Sequence, residues 1–152
     1  MRASAAWAIS MDHSVKDLGP ALATLAEQET EAEVRRRLYE AMLPQVGIPA
    51  ERLLPIVRAE DDIAARVVGF NALGHAVRQA PASVAAEFDQ KIVPELAAIA
   101  TSRNGLNLQM RAVFALRRAQ STEAQAALAI IANIARPPVA AAARHGLVKP
   151  NG

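Results

Sequence analysis

One pattern of residue types recurs along the chain in a fixed register, and it constrains the fold more than any single motif does. It is fullest between Asp61 and Val77, DDIAARVVGFNALGHAV. Counted from Ala65, Arg66 takes the second place, Gly69 the fifth, and Ala72, Leu73 and Gly74 the eighth to tenth. The register fits again from Val34 (Arg35, Leu38, Ala41, Met42), from Leu108 (Gln109, Ala112, Ala115, Leu116), from Val139 (Ala143, Gly146, Leu147) and from Met1 (Arg2, Ala5, Ala8, Ile9). The starts at 1, 34, 65, 108 and 139 are separated by 33, 31, 43 and 31 residues. Recurrence at this length denotes stacked supersecondary units, each too small to bury its apolar face alone.

The 152 residues suffice for one ordinary domain, and an apolar fraction of 52% is ample for a core. Only 3% is aromatic, and the apolar total leans on alanine, which favours closely packed helices. The expected fold class is all-α.

Helical spacing and end signals place the units. Val15, Leu18, Leu22 and Leu25 recur at helical steps from Ser14 to about Gln28, with Pro20 expected inside that helix. Thr30 and Glu33 form a capping-box pattern opening a helix through Val34, Leu38 and Met42. After Pro49 a short helix carries Leu53, Leu54, Pro55 and Val57, and the chain turns at Glu60-Asp61-Asp62 into the central helix. Pro81 and Ser83 open a longer helix to about Thr101 with Pro94 inside it, followed past Gly105 by the helix of Leu108. Ser121-Thr122 and Pro137-Pro138 start the last two, the final one ending at Gly146. The expected division is a half repeat at 1–12 and helix pairs at 13–47, 48–79, 80–119 and 120–148, forming one domain over 1–152.

The two-helix unit, the Val-Arg-x-x-Ala-x-x-Ala-Leu-Gly-like second helix and the proline within the first helix resemble HEAT repeats, especially the short bacterial kind, over nearly the whole chain. The resemblance implies a right-handed α-α superhelix of about four helix pairs, starting with a half repeat. It also implies that the second-position arginines Arg2, Arg35 and Arg66 join acidic side chains in a ladder between neighbouring repeats. Gln109 and Ala140 stand in their place in the last two copies, so the ladder is expected to fade towards the C-terminus. Glu31 to Arg35 and Asp62 to Arg66 also have the i,i+4 spacing for pairs within one helix, worth about 0.3–0.5 kcal/mol each if they are solvated.

Little in the chain speaks for catalysis. There is no cysteine, and the three histidines, His13, His75 and His145, fall in different repeats without ligand spacing. No GxSxG sequence, phosphate-cradling glycine loop or metal-binding acidic loop occurs. Glu87, Asp89 and Glu95 lie along a helix flank and do not converge. No cofactor or metal is expected, and the chain is read as a non-enzyme. The net charge of +2 is too small to argue for a polyanion. Some HEAT-like proteins hold nucleic acid, including DNA glycosylases that rely on groove tryptophans and an acid. Here Trp7 is the single tryptophan, and Glu40 interleaves with Arg35-Arg36-Arg37, so no basic stripe forms. Nucleic-acid or glycosylase-like binding is therefore the alternative reading, and a bilin-lyase-like enzyme, which only the resemblance suggests, is the third.

No apolar run approaches the ~18–20 residues that span a bilayer. MRASAAWAIS matches the repeat better than a signal peptide, which favours the cytoplasm. Because it matches a second helix without its first, the chain is expected to continue upstream as part of a longer array or multidomain protein, to form a homodimer through that end, or to fray there.

The function expected of such a solenoid is protein-protein interaction, with another protein or peptide in the concave groove. Four of the five aromatics, Trp7, Tyr39, Phe70 and Phe114, occupy the sixth or seventh place of the register. Stacked repeats would align them in a row beside Arg36, Glu40, Asn71, His75 and Arg117. The rings then either anchor a partner or pack between adjacent second helices, and exposure distinguishes the two.

Overall fold

A computed structural model describes residues 17–148. The half repeat at 1–12, with Arg2, Trp7 and the expected dimer contact, lies outside the described residues, as does His13. Among the described residues every regular element is helical. The helices are α1 (Gly19–Gln28), α2 (Ala32–Met42), α3 (Ala50–Arg58), α4 (Ile63–Ala76), α5 (Ala82–Glu87), α6 (Val93–Thr101), α7 (Leu106–Ala119), α8 (Thr122–Ile134) and α9 (Pro137–Gly146). A 3-10 turn (Val77–Gln79) follows α4, and a π-helical turn (Phe88–Ile92) joins α5 to α6.

Helix contacts sort these elements into two rows. α1, α3, α5/α6 and α8 contact one another in succession, as do α2, α4, α7 and α9, and each member of the first row also packs on the following helix of the second. Leucine, valine and alanine at helical spacing supply a continuous core from Leu22 to Ala143.

Proline and cap residues decide several boundaries. α1 begins at Gly19, so Pro20 sits in its first turn, where no hydrogen-bonded N–H is lost. This corrects the expectation of an internal proline there. Pro55 does lie inside α3. Pro94 follows the π-helical turn, and a proline ring displaces the carbonyl four residues back, which such a wider turn accommodates. The Thr30–Glu33 capping box does not form. The Glu29 carboxylate instead accepts from the backbone N–H groups of Thr30 and Glu31 at 2.8 and 2.9 Å. Asp62 caps α4 by accepting from Ala65 N at 2.8 Å, and Ser121 caps α8 from Ala124 N at 3.1 Å.

α4 is the central element. It packs on α2, α3 and α7, and of its fourteen residues ten are buried. Two glycines let its neighbours approach this closely. A Cβ at Gly69 would lie 2.6 Å from Val57 Cγ1 of α3, and one at Gly74 would lie 2.7 Å from the Ala115 carbonyl oxygen of α7. At Gly74 the obstacle is backbone, so a whole helix must move. Gly74→Ala is expected to lower stability by about 1–2 kcal/mol in urea melts, because overpacking outweighs the gain of about 1 kcal/mol in helix propensity. A gain in stability would show that α4 and α7 separate freely.

The rows are tied across unit boundaries by polar rungs. Arg35 on α2 reaches Glu60 ahead of α4, with Nε and Nη2 each 2.6 Å from a carboxylate oxygen, and the Tyr39 hydroxyl donates to Glu60 at 3.2 Å. Arg66 on α4 reaches Glu95 on α6, with Nη2 3.0 Å from Oε2. At the next boundary Gln109 replaces arginine, and polarity reverses: Arg136 Nε donates to Gln109 Oε1 at 2.5 Å. The arginine contacts thus run between units, and Asp62 serves as a cap rather than as the i,i+4 partner of Arg66. The rung at Gln109 loses its ion pair and keeps a hydrogen bond.

Candidate partner-binding groove

The aromatic row expected along the second helices divides according to burial. Tyr39 and Phe70, both at the sixth place, are fully buried, and so is Val113 at the same place of α7. This corrects their assignment as partner contacts. Stacking of α2 on α4 and α4 on α7 turns the sixth place into the seam between helices, so these rings fill the core. Arg66 lies over the Phe70 face, 5.4 Å from its centroid. Burial and the neighbouring Glu60 carboxylate push the Tyr39 phenol well above its ordinary pKa, so the hydroxyl stays protonated and can donate. Phe114, at the seventh place, is 38% exposed.

Four residues of the expected site come together. Asn71 and His75 of α4 and Phe114 and Arg117 of α7 line one open concavity of about 600 Å³, joined by Arg78 from the 3-10 turn, Arg118, Gln120, and His145 of α9. Three second-row helices therefore contribute to it. Arg117 lies over the Phe114 ring at 5.6 Å, an attraction that holds both side chains at the mouth. Asn71 is nine-tenths buried (9% exposed), and its Oδ1 has no hydrogen-bond partner among the described residues. Burial, and then Arg118 and Arg78, hold the His75 imidazole below its usual pKa, so it is neutral at pH 7.

Arg36 and Glu40 lie apart from this concavity. Arg36 bonds Glu33 at 2.7 Å and Glu40 at 3.0 Å, Arg37 bonds Glu40 at 3.0 Å, and Arg111 approaches Glu40 at 3.6 Å. Their charges are spent on one another. The basic run at 35–37 thus offers no open cations, whereas Arg78, Arg117 and Arg118 form no ion pair with a carboxylate of the described residues. Arg118 Nη1 donates to the Leu43 carbonyl oxygen at 3.4 Å, and burial lowers its pKa.

The sequence shows Arg117-Arg118 as a basic pair and His145 as a solvated or groove-edge histidine, but it does not place Arg78, Arg118, Gln120 or His145 in the site. Arg118 lies one turn beyond Phe114 on α7 and Gln120 ends that helix, whereas the turn after α4 brings Arg78 and the stacking of α9 on α7 brings His145 to Phe114. Gln120 carried one local signal, since it follows the last apolar residue of α7, where glycine is usual. It adopts φ 55° and ψ 17°, a left-handed conformation that costs a side chain about 1 kcal/mol. Gln120→Gly is therefore expected to raise stability by about 0.5–1 kcal/mol in thermal or urea melts. A loss would mean that the Gln120 side chain holds the rim together.

An apolar depression lies between α6 and α8, lined by Val93, Pro94, Ala97 and the exposed Ile130 and Ile134. Among the described residues no cluster of histidine and carboxylate side chains could hold a metal ion, and no helix is long and apolar enough to cross a membrane. Compared with known proteins, the chain matches no family model, no curated protein and no solved structure.

Proposed function

We propose that this protein is a protein-protein interaction scaffold: a right-handed solenoid of about four HEAT-like helix pairs whose second helices present a concave surface to a partner. Neighbour-only packing within each row supports the solenoid reading, as does the repetition of the Arg35, Arg66 and Gln109 contacts at successive boundaries. The observation that carries the binding reading is the concavity where Phe114 is exposed between Asn71, His75 and Arg117. A half-exposed ring with polar groups around it has the composition of a binding anchor within a rim.

The test is affinity capture from cell extract with the wild-type chain and with Phe114→Ala, each checked for unchanged melting. A partner held by the wild type and lost from Phe114→Ala supports the proposal. Equal capture by both variants removes it from this surface. The nucleic-acid alternative predicts gel-shift binding that weakens steeply as salt rises. The pairing of Arg36 and Arg37 with Glu33 and Glu40 argues against it, since it breaks the basic track a phosphate backbone would follow.

A further inference from the structure

Three arginines converge on the concavity beside α7, and no carboxylate of the described residues lines it. Part of this charge is offset by the fold. Basic residues occupy the last turns of α4, α7 and α9 and the 3-10 turn, where helix carbonyls concentrate negative potential. Each helix C-terminus carries about half an elementary charge, effective only within its last turn. Three such ends oppose the three full charges of Arg78, Arg117 and Arg118, so positive potential remains. Arg118 is half-buried, where an unpaired guanidinium is costly. On α2 and α4 the arginines are supplied with acids from this chain, as at Arg35–Glu60, Arg36–Glu40 and Arg66–Glu95. At this concavity the described residues put no acid in the lining.

We propose that the concavity binds an acidic peptide segment of the partner protein, its carboxylates taken by Arg78, Arg117 and Arg118 and an apolar side chain resting on Phe114. The inference rests on the protein-binding reading and names the chemistry of its ligand. Two features favour a peptide over a nucleic-acid strand. Arg78, Arg117 and Arg118 share one concavity of about 600 Å³, which suits a short segment rather than an extended phosphate backbone. The nearly buried Asn71 carbonyl offers an acceptor that suits a peptide N–H and has no use for a phosphate oxygen. Free inorganic anions would leave both Phe114 and Asn71 without a role.

The experiment uses the full chain and fluorescence anisotropy with three probes: a labelled peptide of alternating glutamate and leucine, its glutamine-for-glutamate counterpart, and a single-stranded DNA oligonucleotide of similar length. The acidic peptide is expected to bind at least about tenfold more tightly than the glutamine peptide, and the DNA more weakly than either. Arg78→Ala, at an exposed side chain, and Arg117→Ala, at a partly buried one whose stem lies against Gly146, should each weaken acidic-peptide binding several-fold, whereas Arg103→Ala, an exposed arginine outside this concavity, should leave it unchanged. Melting curves of the variants separate lost contacts from lost folding. Equal binding of the two peptides overturns the acidic inference and leaves the protein-binding reading standing. Failure of both peptides to bind, or effects no larger for Arg117→Ala and Arg78→Ala than for Arg103→Ala, overturns the inference at this site. Tightest binding by DNA overturns the inference and the protein-binding reading together.

Discussion

Replacing Phe70 by alanine is expected to remove about 3–5 kcal/mol of stability, the range for truncating a buried aromatic ring. The ring has no exposed surface and lies on α4, the helix that packs on α2, α3 and α7 at the centre of the core. Neighbouring helices cannot collapse into the gap, because α4 is already in backbone contact with α7 at Gly74. The substitution also takes away the surface beneath the Arg66 guanidinium. Tyr39→Ala should behave alike, with the added loss of its bond to Glu60. Urea denaturation measures both. A loss below about 1 kcal/mol in Phe70→Ala, together with weakened partner capture, would place that ring in the groove rather than in the seam.

The second large effect concerns Glu60. Its side chain is 1% exposed, and it accepts two hydrogen bonds from Arg35 and one from the Tyr39 hydroxyl. Glu60→Ala removes the only one of these groups that carries negative charge, leaving a guanidinium and a phenol to find other partners. Breaking a buried pair from one side costs about 3–5 kcal/mol. The Arg35 side chain is 19% exposed, so water relieves part of that cost, and a loss of about 2–4 kcal/mol is expected. Glu95→Ala provides the comparison. Its pair with Arg66 occupies the corresponding place one unit on, with both side chains about a third exposed, and such pairs contribute about 0–1 kcal/mol. Parallel urea melts decide the matter: equal losses at the two rungs would mean that burial does not set the strength of the Glu60 contact.

Residue types alone determined the elements and their order. The register from Val34, Ala65, Leu108 and Val139 marks α2, α4, α7 and α9, because buried faces recur at the helical period whatever those faces pack against. Caps and proline bonds are equally local, which is why Ser121 and Pro137 open helices where the sequence places them. Glu29 could not be read as the acceptor for the start of α2, since Thr30 and Glu33 offered an equally plausible pattern and only the path of the loop chooses between them.

Three-dimensional stacking decided what the sixth and seventh places do. A periodic pattern says which side of a helix is apolar, but adjacent places differ by only about 100° in direction, and both lie at the margin of the buried stripe. Where second helices pack closely, as α4 does on α7 through Gly74, the sixth place becomes interior and Phe70 is core; at the seventh, Asn71 of α4 is nearly buried while Phe114 of α7 is exposed. The same stacking carries Arg35 to Glu60 across 25 positions of sequence and brings Arg78 to the concavity of Phe114 and Arg117. Such juxtapositions depend on distances between helices, and these are set by the combined packing of many small side chains rather than by any one residue's place in the repeat.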